Sequence, residues 1–149
     1  MQREYWPLLV LWASPPPQQS GTARRLSSLQ IQKTLFVIGE LHGPRVQPFY
    51  KFRALHYGPF SNEVEDDLRS LHEEQLVDHV GDEPGKKWEI TKTGLQLAER
   101  LSGTVDDNVR EYLVRLTRWV SRVPQGVLLR TIYDRFPDYR RQGSAVPDT

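Results

Sequence analysis

The hydrophobic pattern of the chain predicts a mainly α fold carrying a small β-hairpin. Three observations lead there. Apolar residues recur at helical spacing in six separate segments. A turn-rich stretch, Gly81-Asp82-Glu83-Pro84-Gly85, separates two short strand-like runs. Helix-starting residues, Ser61 and Thr91, stand on either side of those runs. The order helix, helix, short extended segment, helix, two-stranded hairpin, helix is the winged helix-turn-helix pattern, with the hairpin as the wing. Extra N- and C-terminal helices flank it.

The first helix is read from Glu4 to Ala13, where Tyr5, Trp6, Leu8, Leu9, Leu11 and Trp12 make a short buried element; Pro15 to Pro17 stop it. Gln18 to Arg25 reads as a polar loop. Leu26, Leu29, Leu35, Phe36, Ile38 and Leu41 then form the second helix, which Gly43-Pro44 is expected to end. Phe49 to Tyr57 reads as an extended segment turning through Gly58-Pro59 into Ser61, the N-cap of the third helix. Glu63, Glu65 and Asp66 suit the dipole of its first turn, and Val64, Leu68, Leu71 and Leu76 make its apolar face. The hairpin strands are Leu76 to Val80 and Lys87 to Ile90. Thr91 caps the fourth helix, with Leu95, Leu97, Ala98 and Leu101 inside and Gly103 beyond its end. The fifth helix runs from Val109 to Val123, ahead of Pro124, and the last from Leu128 to Phe136, closed by Pro137.

A chain of 149 residues suits one core, so residues 1–141 are read as a single domain and residues 142–149 as a loose tail. With 38% hydrophobic and 26% charged residues the composition is that of a globular protein. No cysteine is present, which excludes disulfides, thiolate nucleophiles and cysteine zinc sites. The longest apolar runs fall far short of the roughly 20 residues of a spanning helix, and the start of the chain lacks the pattern of a secretory signal. The expectation is a cytoplasmic protein without a membrane partner.

The net charge of +1 conceals an asymmetry. From Ser61 to Glu83 the acids Glu63, Glu65, Asp66, Asp67, Glu73, Glu74, Asp78, Asp82 and Glu83 face Arg69 alone. The first sixty residues are basic, with Arg3, Arg24, Arg25, Lys33, Arg45, Lys51 and Arg53 against Glu4 and Glu40. The two regions should face opposite partners or each other. A winged helix reads DNA with its third helix in the major groove. Here that helix begins Asn62, Glu63, Glu65, Asp66, and clustered carboxylates are repelled by phosphate. Standard docking is therefore disfavoured. The cations left to contact phosphate are Lys86 and Lys87 on the wing, Lys51 and Arg53 before the turn, and Arg140 with Arg141 after the last helix. Arg115, Arg118 and Arg122 share one face of the fifth helix, and the favoured reading pairs them with the acidic third helix.

Catalytic chemistry finds no support. His42, His56, His72 and His79 lack metal-ligand spacing, so neither a metal nor a cofactor is expected. Asp66-Asp67 and Glu73-Glu74 are adjacent pairs that diverge around a helix and read as exposed. No serine sits in a Gly-x-Ser-x-Gly elbow, and Gly81 to Gly85 carries acids where a phosphate loop needs a lysine. The strip Phe49-Tyr50-Lys51-Phe52-Arg53 is of a kind that stacks nucleobases; packing is the favoured reading, from the alternation of a half-buried strand.

Tyr57-Gly58-Pro59-Phe60-Ser61-Asn62-Glu63-Val64, continued by Asp67-Leu68, Leu71 and Leu76-Val77, resembles the YwgA-like prokaryotic winged-helix proteins. It is more distantly similar to the SocA-type antitoxin domain. Ile90-Thr91-Lys92-Thr93-Gly94-Leu95 fits the step after the wing, and Leu128-Leu129, Ile132-Tyr133 and Phe136-Pro137-Asp138-Tyr139 look like the C-terminal signature of the first group. A departure is Gln75, where such helices place glycine at a position expected to be left-handed, a change worth ~1 kcal/mol. The resemblance implies a fold and a regulatory flavour but no settled activity.

Two function classes follow. One is a non-catalytic winged-helix regulator associated with double-stranded DNA through the wing and the C-terminal arginines, as a homodimer formed by its first and fifth helices. The other is a protein-interaction module, an antitoxin-like neutraliser or a subunit of a larger assembly, using Glu63, Glu65 and Asp66 against a basic partner.

Overall fold

The computed structural model describes residues 1–16 and 24–140, and among them it is mainly helical with small antiparallel sheets. A 3-10 turn, Arg3–Tyr5, leads into α1 (Trp6–Ala13). Pro7 sits in the first turn of α1, where a missing N–H costs nothing. Of the eight residues in α1 all but Trp12 are buried, as a helix apolar on every side requires. It packs against α2 (Ser28–Val46), α3 (Asn62–Glu73), α4 (Lys92–Ser102) and α5 (Asp107–Arg122). Trp12 is thus the residue of α1 that keeps partial exposure.

Arg25–Leu26, expected in a loop and at a helix start, is strand β1 instead. It pairs with β5 (Lys87–Ile90), Arg25 opposite Glu89 and Leu26 opposite Trp88. α2 starts two residues later than the apolar pattern suggests because Ser27 and Gln30 form a reciprocal capping box: Gln30 N–H donates to Ser27 Oγ at 3.1 Å and Ser27 N–H to Gln30 Oε1 at 2.9 Å. The break expected at Gly43-Pro44 is present as a kink one residue earlier, and a short second helical segment follows it. His42 leaves helical geometry at φ −129°, and the helix resumes with Pro44 in the first turn of the new segment, where its absent N–H is tolerated.

The extended segment before the third helix is a hairpin of β2 (Arg53–Leu55) and β3 (Gly58–Phe60), with Ala54 opposite Pro59. Ser61 follows as the N-cap residue of α3, yet its hydroxyl makes no capping bond. α3 buries Val64, Asp67, Leu68 and Leu71. It ends in a Schellman motif, Leu76 N–H donating to Leu71 O and Gln75 N–H to His72 O, with Gln75 at φ 63°. The left-handed position expected at Gln75 is there, and Leu76 is the buried residue just past the helix rather than part of it. β4 (Val77–Val80) and β5 form the second hairpin, in a sheet of order β1-β5-β4.

Thr91 N-caps α4 and accepts from Gly94 N–H at 3.0 Å. Asp106 N-caps α5 by accepting from Asn108 and Val109 N–H. Pro124 separates α5 from α6 (Gln125–Arg135). A 3-10 turn, Pro137–Tyr139, then lays Tyr139 and Phe136 edge-on to Phe36 of α2, at 4.6 and 5.1 Å between ring centroids. No helix among the described residues is long and apolar enough to cross a membrane.

Candidate functional site

The segment Tyr57 to Ser61 is gripped from below by two polar residues of α2. Gln32 brackets Ser61, donating to its carbonyl at 2.8 Å and accepting from its N–H at 2.9 Å, and it also donates to Glu65 at 2.9 Å. Lys33 is buried and donates to the Pro59 carbonyl at 2.9 Å. Burial pushes its pKa down from 10.5 to about 8, with Glu65 opposing. Gly58 is left-handed at φ +91°, and a β-carbon there would sit 3.2 Å from Lys33 Cε and 3.3 Å from Leu129 Cδ2. Glycine is needed twice over, for the dihedral and for the space. The hairpin so braced exposes Tyr57, with the ring of His56 beside it.

The basic N-terminal region meets the acidic helix at Arg3, which pairs with both Glu63 and Asp67. Asp67 is buried, against the expectation of an exposed acid pair, because the Tyr50 hydroxyl at 2.6 Å and Arg3 at 3.3 Å satisfy it. Burial and the Asp67 carboxylate push the Tyr50 pKa far up. Glu65 is turned to Gln32, and Asp66 pairs with Arg69 on the surface. Glu63 and Asp66 nevertheless keep side-chain exposures of 49% and 61%, on an outer face continued by Glu73 and Glu74.

The expected phosphate contacts fall into two groups. Lys86 and Lys87 lie on the β4–β5 hairpin, where Lys86 Nζ stands 4.5 Å over the Trp88 ring and Lys87 is exposed. Asp82 and Glu83 share that hairpin loop, so its cations are matched by acids. Lys51 and Arg53 are exposed at and just before the start of β2, which packs on the Pro137–Tyr139 turn that the exposed Arg140 follows. Arg140 lies 5.1 Å over the Tyr133 ring. Arg141 is outside the described residues.

Arg115, Arg118 and Arg122 share an exposed face of α5 as expected, but no ion pair links them to α3 among the described residues. α5 docks on α1 and α2, while the acids of α3 are met by Arg3 and Arg69. Arg122 Nε instead donates to the Arg118 carbonyl at 3.1 Å, and Arg115 lies 5.8 Å from the Tyr112 ring centroid.

His72 and His79 approach to 4.9 Å between ring centroids beside Trp88, without a third ligand: no group of three metal-ligating side chains occurs among the described residues. The Phe49 to Phe52 strip is packed rather than displayed. Tyr50 is buried, Phe49 stands edge-on to Trp6 at 5.5 Å and Phe52 edge-on to Phe36 at 5.5 Å. Strand geometry starts only at Arg53, so aromatic packing, and not a half-buried strand, holds the strip. Neither a protein-family model nor a curated protein matches the chain.

Proposed function

We propose that the chain is a non-catalytic winged-helix module, of the kind the YwgA-like resemblance implies, which binds a basic protein partner through the outer face of α3. The element order supports the winged-helix reading: β1 precedes α2 and closes on β5, and α3 passes through a tight turn into the β4–β5 hairpin that serves as the wing. The observation that carries the partner is the outward charge of α3. Glu63, Asp66 and Glu73, with Glu74 at its C-cap, face solvent on the helix that would meet phosphates, and the wing beside it carries Asp78, Asp82, Glu83 and Glu89 against Lys86 and Lys87. That surface repels a nucleic acid and attracts a cationic protein face.

The DNA-associated reading keeps one specific observation in its favour, the exposed Arg115, Arg118 and Arg122, to which Lys51, Arg53 and Arg140 add further exposed cations. Titration of a fluorescent random duplex at low salt separates the two. The protein-interaction reading expects no saturable binding at micromolar protein. It also expects a basic protein to co-purify with the tagged chain and to be lost from Glu63→Lys/Asp66→Lys/Glu73→Lys. Tight duplex binding, abolished by Arg115→Glu/Arg118→Glu/Arg122→Glu and spared by the α3 changes, would overturn it in favour of DNA.

A further inference from the structure

One concavity shares only Arg115 with the readings above. It is a groove between α2, α5 and α6 with a volume of about 280 Å³, close to the roughly 300 Å³ at which small-molecule sites begin. Val120, Leu128 and Ile132 form its buried floor, and Leu116, Trp119 and Phe136 its half-buried walls. Two charged groups line it, Arg115 from α5 and Arg135 from α6, and no carboxylate does. Both arginines are exposed, and neither makes an ion pair among the described residues. The one hydroxyl of a threonine on the lining, Thr131 Oγ1, is already committed to the Val127 carbonyl at 2.8 Å. Tyr112 and Trp119 add a hydroxyl and an indole N–H, while the charge of the lining comes from the two guanidinium groups, so the slot selects by charge: a cation is repelled, and an anion gains charge-assisted hydrogen bonds that a neutral molecule lacks.

We propose that this groove binds a small amphipathic carboxylate, its apolar body against Trp119, Leu116 and Phe136 and its head group at Arg115 and Arg135. The planar guanidinium matches a carboxylate with paired N–H donors, which favours this head group over a point anion. The volume limits the body to a medium-length chain or a single ring system.

Decanoate is the probe, with decan-1-ol as its neutral and decyltrimethylammonium as its cationic counterpart, each titrated against the whole chain by calorimetry and tryptophan fluorescence. The expected result is saturable decanoate binding that changes Trp119 emission, a signal lost in Trp119→Phe. Decanol binds at least tenfold more weakly and the cation shows no saturation. Arg115→Gln and Arg135→Gln each weaken decanoate about tenfold and leave decanol unchanged. Both residues are exposed, so these variants fold and melt as the parent does. Leu41, 42% exposed at the mouth of the groove, supplies a steric control: Leu41→Trp obstructs decanoate and decanol alike. Equal affinity for decanoate and decanol, wild-type decanoate affinity in both arginine variants, or no saturation at all overturns the proposal.

Discussion

Gly94→Ala is expected to destabilise the chain by about 2–4 kcal/mol, against the usual gain of up to ~1 kcal/mol for replacing a helical glycine with alanine. The reason lies at the junction between the β4–β5 hairpin and α4. A β-carbon on Gly94 would stand 2.1 Å from the Leu76 carbonyl oxygen, 3.0 Å from its carbon and 3.1 Å from Ile90 Cγ1. The obstacle is backbone, so relief requires moving α4 or the start of β4 by more than an ångström. That carbonyl accepts from Thr91 N–H at 3.1 Å and from the Thr91 hydroxyl at 3.0 Å. Losing both bonds costs about 1–3 kcal/mol, and the displaced Leu76 side chain, now buried, adds to it. Gly103 is the internal comparison, since its nearest β-carbon contact is 3.5 Å and its φ is an ordinary −70°. Urea unfolding followed by tryptophan fluorescence should give unchanged m-values, a markedly lower midpoint for Gly94→Ala and little change for Gly103→Ala. A Gly94→Ala midpoint equal to or above the parent's would refute the close-approach argument.

Three further outcomes are expected. Lys33 holds a folded pKa of about 8 against an ordinary 10.5, so the unfolded chain keeps a proton that the folded one loses between those values. Stability therefore rises with pH through that window and the charge penalty is fully present below it, on the order of 3 kcal/mol at 1.4 kcal/mol per unit. Lys33→Met should abolish this contribution, read as the difference between parent and variant in unfolding free energy from pH 8 to 9.5. Gln75→Gly should raise stability by about 0.5–1 kcal/mol, because a β-carbon is strained at φ 63° and the side chain is exposed; thermal unfolding with Gln75→Val, expected to fall, provides the contrast. Tyr50→Phe removes the hydroxyl donor from buried Asp67 and should cost about 1–2 kcal/mol, whereas an exposed-acid change such as Glu74→Gln should stay within ~0.5 kcal/mol.

Local patterns made the helices and the β4–β5 hairpin legible. The apolar period, Thr91, Pro124 and the glycines of the hairpin loop act within a few residues of themselves, and Gln75 stood out against the glycine that the resemblance places at this left-handed position. What escaped depends on partners far along the chain. β1 is two residues long and exists through Glu89 and Trp88. The β2–β3 hairpin turns at His56-Tyr57, a pair without the usual glycine or asparagine, while the glycine lies on the returning strand. Gln32, Lys33 and Asp67 were unremarkable as letters in amphipathic helices; Ser61, Pro59 and Tyr50, distant in sequence, make their burial tolerable. The Ser27-x-x-Gln30 capping box was readable and marks the true start of α2. The groove between α2, α5 and α6 had no linear signature, since its lining comes from three helices and its arginines look like ordinary surface charges.

The all-round burial of α1 has a consequence in time. α1 leaves the ribosome before each of the helices that cover it, and α5, the last of those, follows roughly a hundred residues later. At about 5–20 residues per second a bare segment of Trp6, Leu8, Leu9, Val10, Leu11 and Trp12 waits on the order of 5–20 s for its enclosure. The nascent chain thus offers a chaperone a hydrophobic handle throughout synthesis, and cooperative folding follows the emergence of α5.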